Sequence, residues 1–218
     1  MPTRTPKDAV RHPVFARFYT RFSVAAEPSV GPLRTELLAG LSGRVIEIGA
    51  GNGLNFAHYP AGVSEVVALE PERLLRQSAR VAALRAEVPI DVVPGVAEAL
   101  PVKSEAFDAA VLSLTLCSVR DVERALREVR RVLRPGGELR FFEHGRGGGA
   151  VMRRVQRGLD RTVWPVLFGG CHLSRDPVGA IVEAGFELGE FRRLLVPPKG
   201  LVTPASYCVL GTARRPAG

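Results

Sequence analysis

Three glycines in this chain are spaced as in a site for a nucleotide-like cofactor. Gly49, Gly51 and Gly53 directly follow the mostly apolar run at 45–48, so a short strand leads straight into a glycine-rich turn. Glycines let backbone N–H groups come close to an anionic group. Leu54 stands where the pattern G-x-G-x-x-G requires its third glycine, so the loop departs from the dinucleotide motif. The loop therefore predicts an adenosine without a pyrophosphate.

Acidic residues at the next two strand ends extend this prediction. Glu70 ends the apolar segment Val67-Ala68-Leu69, where an acid accepts both hydroxyl hydrogens of a ribose and repels a 2′-phosphate. The following strand leads into the turn at 94–101, whose backbone and Glu98 would frame an adenine edge.

The ends of the fourth and fifth strands predict the catalytic side of the site. His144 follows a buried strand, and its imidazole is a candidate base or hydrogen-bond donor toward an acceptor. The alternative is a structural histidine that fixes the strand end. Glu143 is predicted either to orient that imidazole or to bind a nearby arginine.

Cysteines and a second histidine are candidates for the acceptor pocket. Cys117 follows the fourth strand, and Cys171 and His172 lie in the 145–175 insertion, with simple packing of small apolar thiols as the alternative. Three widely spaced cysteines give neither a disulfide framework nor a zinc knuckle. They predict reduced thiols and no metal.

The elements that must position these residues alternate between strand and helix. Alternation of this kind predicts an α/β fold, a doubly wound, Rossmann-like and mostly parallel seven-stranded sheet with helices on both faces and extra N-terminal helices. The ligand crevice then lies at the carboxyl ends of the strands. Helices are predicted at about 12–25, 31–41, from near 53, 72–87, 122–133, 150–162 and 175–184. Strands are predicted at 44–48, 66–69, 90–93, 107–113, 138–143, 186–195 and 205–211.

Length and composition predict one domain. The 218 residues, 46% of them hydrophobic, are enough for one sizeable core, and no linker divides the chain. We expect a helical extension at 1–43, a cofactor-binding core at 44–143 and an acceptor-side region at 144–218. The start, with Arg4, Lys7, Asp8 and Arg11, is neither a signal peptide nor a membrane span, so a cytoplasmic protein is expected.

The net charge of +8 does not by itself predict a nucleic-acid partner. The basic residues are 27 Arg and 3 Lys, a bias that base composition of a genome can produce. Residues 44–119 carry 6 basic and 9 acidic side chains, a net charge of −3, so the predicted cofactor half is not a polyanion groove. A small-molecule acceptor is expected, no nucleic acid, and an unknown oligomeric state.

Two amphipathic segments leave a membrane contact open. Aromatic side chains share one face of the first helix between arginines, which suits a lid over the pocket, a membrane-surface helix or an ordinary covering helix. These residues are Phe15, Phe18, Tyr19 and Phe22 between Arg11, Arg17 and Arg21. The arginine-rich helix at 150–162 repeats the pattern.

Four segments together resemble class I S-adenosylmethionine-dependent methyltransferases. They are Glu47 to Gly53, Glu70, Pro94 to Pro101 and the run at 131–137. The resemblance implies S-adenosyl-L-methionine as cofactor and S-adenosyl-L-homocysteine as product. Many relatives have an aspartate at Val96 that binds the adenine amino group, so Glu98 or the backbone would replace it. The implied cofactor contacts are Glu47, Gly49, Ala50, Gly51, Gly53, Asn55, Glu70, Pro71, Gly95, Val96, Ala97, Glu98 and Leu114.

Further motifs resemble the mammalian alkyl-thiol S-methyltransferase branch. They lie at 53–60, 116–119, 128–137, 142–144 and 170–175. This resemblance implies S-methylation of an alkyl thiol or sulfide. The alternatives are O-, N- or C-methylation of a metabolite such as a quinone or polyketide, and a non-catalytic S-adenosylmethionine sensor. Members of the branch carry an N-terminal hydrophobic anchor that this sequence does not show, so peripheral membrane contact stays open.

Overall fold

A computed structural model describes residues 13–199 and 201–217. Within these residues the chain forms six α-helices and seven strands. The strands are β1 Gly43–Ile48, β2 Val63–Leu69, β3 Ile90–Val93, β4 Phe107–Ser113, β5 Leu133–His144, β6 Glu187–Leu195 and β7 Tyr207–Arg214. The helices are α1 Pro13–Leu38, α2 Arg73–Ala83, α3 Val122–Val132, α4 Ala150–Asp160, α5 Trp164–Leu167 and α6 Pro177–Glu183.

The strands form one sheet in the order β3-β2-β1-β4-β5-β7-β6. Strands β1 to β5 are parallel, and β7 runs antiparallel to both of its neighbours, β5 and β6. The strand order reverses between β1 and β4, which places a crevice at the carboxyl ends of these two strands. The predicted doubly wound, mostly parallel seven-stranded sheet is confirmed.

Helices cover both faces of the sheet because its central strands are apolar on both sides. Val45 of β1 packs with residues of α1 and α2, such as Leu37 and Ala79. The next residue, Ile46, packs on the other face with residues of α3 and α6, such as Leu126 and Ile181. Near-continuous apolar runs are typical of parallel strands buried on two sides.

The N-terminal region is one helix instead of the predicted two. Helix α1 continues through Pro28 and Pro32, although an interior proline costs about 3 kcal/mol. Buried Val30 and Leu37 hold its second half against the core, and this packing outweighs the cost. Residues 1–12, including Arg4, Lys7, Asp8 and Arg11, lie outside the described residues.

The helix predicted to open near Gly53 is wrong. Only a 3-10 turn, Phe56–His58, follows the glycine loop before β2 begins at Val63. Pro60 disfavours helical backbone at the residue before it, and little chain remains to form a longer helix. The loop therefore offers its own backbone N–H groups to a ligand, without an α-helix N-terminus behind them.

Most other predicted boundaries agree with the structure to within four residues. Strands β3 and β4 have the predicted bounds, and Asp121 caps α3 by accepting a 2.9 Å hydrogen bond from the Arg124 N–H. Strand β5 starts earlier than predicted, because the Pro135–Gly137 run lies in a register irregularity of the strand. The four-residue helix α5 was not predicted. No helix among the described residues is both long and apolar enough to cross a membrane.

Candidate functional site

The glycine loop after β1 passes under two neighbouring elements at close range. Gly49 and Gly51 have φ angles of 75° and 59°, a region that side-chain-bearing residues rarely adopt. A Cβ on Gly49 would lie 2.5 Å from Thr115 Oγ1, and one on Gly51 would lie 3.3 Å from Tyr19 Cε1. The loop is therefore confined between the end of β4 and helix α1, and only glycine fits at position 49.

Glu70 is joined directly to this loop. One carboxylate oxygen accepts a 2.8 Å hydrogen bond from the Gly51 N–H, and the other accepts one of 2.8 Å from the Glu72 N–H. Burial raises the pKa of Glu70 to about 7, although these two backbone hydrogen bonds favour the charged form. Each carboxylate oxygen can accept a second hydrogen bond. The position at the end of β2 and the remaining acceptor capacity suit a pair of hydroxyl groups.

Glu47 and Asn55, predicted as cofactor contacts, lie in a buried network that braces the glycine loop. Asn55 and the Tyr59 hydroxyl donate to Glu47 at 2.8 and 2.7 Å, and Arg34 of α1 donates to the Asn55 side-chain oxygen at 2.6 Å. Burial raises the pKa of Glu47 to about 7, against these hydrogen bonds and the charge of Arg34. The Glu47 carboxylate and the Asn55 amide thus both have partners within the protein.

Arg34 and Tyr59 received no role from the sequence. A signal was present, because Arg34 shares a helix face with Val30, Leu37 and Leu38, all buried. A charged residue within such an apolar stripe must find a partner inside the protein.

The turn after β3 is shaped by close packing against β2. A Cβ on Gly95 would lie 2.4 Å from Leu69 Cδ2, so the turn lies directly on the strand that leads to Glu70. Val96 forms an isolated bridge with Ala99, and Ala97 is buried.

Glu98 and Pro71, the other predicted contacts of this region, have protein partners. One Glu98 carboxylate oxygen accepts backbone hydrogen bonds from Arg120 and Asp121, at 2.8 and 3.3 Å, and so holds the start of α3. The Pro71 carbonyl accepts from Arg76 at 2.9 Å. The structure thus gives the Glu98 carboxylate a structural partner that the sequence did not indicate.

Strand β4 ends in a strained residue followed by a tightly held loop. Leu114 has a φ of 56°, and its N–H donates to the Phe142 carbonyl at 2.6 Å. Glu143 accepts hydrogen bonds from the N–H groups of Thr115 and Leu116, both at 2.9 Å, and from that of Cys117 at 3.4 Å. Non-glycine residues in this region of φ concentrate at functional sites.

The partners of Glu143 correct the prediction that it orients the imidazole of His144 or binds an arginine. Successive side chains of a strand point to opposite faces, so Glu143 and His144 face apart. The Glu143 carboxylate instead fixes the loop that carries Cys117. Burial raises its pKa to about 7.

Three predicted site residues from distant parts of the sequence meet at this point. One potential ligand atom from each of Cys117, His144 and Cys171 lies within 4.8 Å of the other two, and Cys171 Sγ is 3.6 Å from His144 Nδ1. The hydrogen bond with Cys171, and then burial, raise the pKa of the Cys117 thiol well above its ordinary value. Burial lowers the pKa of His144. The hydrogen bond with Cys117 and the charges of Cys117 and Glu143 together raise it by more, so the net shift is upward.

His172 lies beside this cluster and fixes the loop. Its N–H donates to the Cys117 carbonyl at 2.7 Å, and its ring Nδ1 donates to the Gly170 carbonyl at 2.7 Å. Arg175 donates to the carbonyls of Leu116 and Val119, at 2.5 and 2.7 Å. The insertion and the loop after β4 are therefore tied to each other at two points just after Cys171.

Helix α1 covers both the glycine loop and the insertion that carries Cys171. The Phe15 ring lies against Gly169, where a Cβ would come within 2.5 Å of it, and Tyr19 lies against Gly51. Burial raises the pKa of Tyr19, and the charge of Arg34 lowers it. The charges of Glu70, Cys117 and Glu47 raise it again, so the Tyr19 hydroxyl lies near both the glycine loop and the loop that carries Cys117.

The predicted aromatic face of α1 is divided between inside and outside. Phe15 and Tyr19 turn inward, whereas the side chains of Phe18 and Phe22 are 51% and 59% exposed. Phe18 also lies edge-on to Phe168, which stacks on Trp164 at 4.0 Å. The first helix and the α5 region thus form one continuous cover.

Comparison with known proteins identifies relatives of this chain. A family model described as a methyltransferase domain matches residues 46–141. Human thiol S-methyltransferase TMT1A is 32% identical over 207 residues, which is 88% of this chain and 84% of that protein. Human thiol S-methyltransferase TMT1B is 34% identical over 183 residues, 81% of this chain and 73% of that protein.

Solved structures share the fold. A methyltransferase of Thermotoga maritima, titled as a possible histamine N-methyltransferase, is 24% identical with a TM-score of 0.66, covering 93% of this chain and 98% of its own. The [4+2]-cyclase SpnF is 20% identical with a TM-score of 0.66, covering 87% and 80%. Because a cyclase and a methyltransferase share this fold, the reaction must be inferred from the residues of the site and not from the fold.

Proposed function

We propose, for a chain that belongs to the class I S-adenosylmethionine-dependent methyltransferases, that its acceptor is the sulfur of a small alkyl thiol or sulfide. The observation that carries the proposal is the meeting of Cys117, His144 and Cys171, since Cys117 lies two residues beyond Thr115, the side chain that packs against Gly49. This cluster offers sulfur and imidazole groups to an incoming thiol. The thiol S-methyltransferases to which the chain is similar support the same acceptor.

The donor side is assigned to the glycine loop, Glu70 and the turn at 95–98. When bound, S-adenosylmethionine supplies an electrophilic methyl group on a positively charged sulfur. Glu70 accepts hydrogen bonds from the ribose hydroxyls, and the backbone around Gly51 faces the methionine part. The turn after Gly95 contacts adenine through its backbone, because the Glu98 carboxylate already holds α3.

The acceptor side needs above all to place a sulfur in line with the methyl group. Methyl transfer is an in-line displacement, and correct positioning of two reactants is worth about 7–11 kcal/mol. A thiolate is the reactive form of a thiol. His144 favours that form, as a base or as a hydrogen-bond donor, for an acceptor placed beside Cys117 and Cys171.

The test is an incubation of the purified protein with labelled donor and a panel of sulfide, alkyl thiols, phenols and amines. We expect methylated thiol or sulfide only. Methylated phenol or quinone with inert thiols would point to the O-, N- or C-methyltransferase alternative. Donor binding without any product would point to a sensor, a role that the position of His144 inside the site does not favour.

Replacing His144 tests the acceptor side of the site separately from donor binding. We expect His144→Ala to lower the turnover of thiols by about 10²–10⁴, the usual range for a lost acid–base group, while the dissociation constant of the donor stays within a few fold. Isothermal titration and single-turnover rates measure the two effects. Equal turnover in the variant would reduce His144 to a structural residue.

We also propose that the enzyme is cytoplasmic and contacts an anionic membrane surface with its aromatic cover. Exposed apolar side chains of α1 and α5 form one surface with arginines around it, as in interfacial segments. The apolar members are Phe18, Phe22, Val166 and Leu167, with Arg17, Arg21 and the arginines of α4 nearby.

A further inference from the structure

We propose that Cys117, His144 and Cys171 bind one divalent metal ion that prefers sulfur and nitrogen ligands, such as zinc. The fourth coordination position of the metal stays open to the acceptor sulfur. Thiolate and imidazole are the ligands that zinc prefers, and three protein ligands with one open position are typical of catalytic zinc sites. The sequence predicted no metal because the three residues lack the short spacing of a zinc knuckle. The fold removes that objection by bringing them together.

The distances in the cluster match those of a tetrahedral metal site. Zinc–sulfur and zinc–nitrogen bonds of about 2.3 and 2.1 Å, at a tetrahedral angle, hold the two ligand atoms about 3.6 Å apart. Cys171 Sγ and His144 Nδ1 are 3.6 Å apart. All three ligand atoms lie within 4.8 Å of one another, so small side-chain rotations suffice to close the site.

The backbone that carries the ligands is fixed by hydrogen bonds outside the cluster. Glu143 holds the N–H of Cys117, and the N–H of His172 holds its carbonyl. The backbone of His144 is held by the pairing of β5 with β7. Asp160 accepts from the N–H groups of Leu173 and Ser174, just after Cys171. Outer partners of this kind hold ligands ready for a metal.

The surroundings favour a neutral, dry complex. Cys117 and Cys171 are buried with Leu173, and Trp164 and Phe168 pack against them. Two thiolates and a neutral imidazole balance the charge of a divalent cation, so the complex carries no net charge into this apolar environment. Unpaired charge in such a place would be costly.

The open position gives the metal a role that rests on the proposed thiol acceptor. An acceptor thiol that binds the metal loses its proton to solvent, because a coordinated thiol is deprotonated. The negative charge that it adds to the complex is offset by the positively charged sulfonium of the donor. The metal-bound sulfur then forms a bond to the donor methyl carbon while the bond between that carbon and the sulfonium sulfur breaks. S-adenosylhomocysteine leaves, and the methylated product, now a weak thioether ligand, leaves the metal. His144 acts here as a ligand, and the metal replaces a base.

The test is metal binding by the full chain, measured without turnover. Chelator-treated protein is titrated with zinc alone, and with cobalt as a spectroscopic probe of thiolate ligands. We expect one metal per chain and cobalt absorption typical of a tetrahedral thiolate site. Cys117→Ser and Cys171→Ser should each weaken zinc binding by about 100-fold or more. Cys208→Ser removes a buried cysteine of β7 that lies outside the three-ligand cluster and should bind like the wild type.

Two results would overturn the metal site: wild-type protein that binds no zinc at micromolar concentration, or binding that the Cys117 and Cys171 substitutions leave unchanged. Thermal unfolding of each variant shows whether it is folded, and His144→Asn provides a third ligand variant if a cysteine variant is not. The thiol assay is read separately. Thiol methylation by metal-free protein refutes the role of the metal in the reaction and leaves the proposed acceptor standing, and metal binding without any thiol product refutes the proposed acceptor alone.

Discussion

Glu70 and Glu47 show how two buried carboxyls near one loop serve different purposes. Glu70 contacts the glycine loop through Gly51 and keeps acceptor capacity for a ligand, whereas Glu47 is occupied by Asn55 and Tyr59. The sequence predicted both as cofactor contacts, because both stand at or near strand ends. It could not distinguish them, because the partner of a carboxylate is set by the packing of residues far away in the sequence.

Removing the charge of Glu70 is expected to weaken donor binding. Glu70→Gln keeps one acceptor oxygen but loses charged hydrogen bonds to the ribose, which costs about 1–3 kcal/mol, or roughly 5- to 150-fold in the dissociation constant. Titration of S-adenosylmethionine by calorimetry measures this loss. Glu65→Gln, on the same strand but half exposed and paired with Arg44, is the matched control. An unchanged constant in Glu70→Gln would refute the ribose assignment.

Glu47 is expected to make the protein less stable as the pH rises. Its pKa is about 7 in the folded protein, against about 4.5 in the unfolded chain, so the folded state holds more protons between these values. The free energy of unfolding therefore falls as pH rises through this window and levels off above it, by about 3 kcal/mol for this group. Urea unfolding between pH 5 and 8 measures the slope.

The variant Glu47→Gln should remove this share of the pH dependence, because an amide does not titrate. Glu123→Gln changes an exposed carboxyl of α3 and should keep the full slope. Identical slopes in the two variants would show that Glu47 is not the group responsible.

At the scale of elements, helix α1 is the part of the fold that the sequence described least well. Two helices were predicted, at about 12–25 and 31–41, where the structure has one, and the apolar residues that hold it in place were visible only as a pattern. The strands were easier, because runs such as 109–112 are apolar throughout and end at polar residues. The glycine loop was recognised by its residues, whereas the missing helix behind it depended on Pro60, a single residue whose effect is local.

Because α1 lies over the glycine loop, it should control how fast the donor leaves. Tyr19→Ala removes the ring that lies against Gly51, and we expect dissociation of S-adenosylhomocysteine to become about tenfold faster, since loss of a well-packed aromatic costs on the order of 1–3 kcal/mol. Stopped-flow displacement measures the rate. Phe22→Ala, on the exposed side of the same helix, should leave it unchanged. Equal rates in both variants would mean that α1 does not cover the bound donor.

At the scale of the whole molecule, the residues proposed for the donor and those proposed for the acceptor lie in different parts of the chain. The residues proposed for the donor follow β1, β2 and β3, whereas those proposed for the acceptor follow β4 (Cys117), end β5 (His144) or lie in the insertion after it (Cys171). The convergence of Cys117, His144 and Cys171 could not be predicted from spacing, since it depends on how loops from three parts of the chain meet at one sheet edge.

The aromatic cover should bind anionic membranes. We expect the protein to float with vesicles that contain phosphatidylserine and not with neutral ones, because basic side chains near such a surface contribute about 1 kcal/mol each. Phe22→Asp should reduce this binding by about tenfold or more. Leu84→Asp alters another exposed apolar residue, on a different surface, and should have no comparable effect. Equal flotation of both variants would refute the contact.

The antiparallel strand β7, which lies between β5 and β6, has a consequence for the synthesis of the protein. Strand β5 pairs with β4 as soon as both exist, but its other side has no partner until residues 207–214 have been made. A growing chain can therefore assemble β1 to β4, with the donor loop, while β5 still presents an open edge with Phe141 and His144. Open apolar edges recruit other strands. The acceptor half is thus completed last, and slow synthesis of residues 145–206 would prolong the period in which nascent chains aggregate or depend on chaperones.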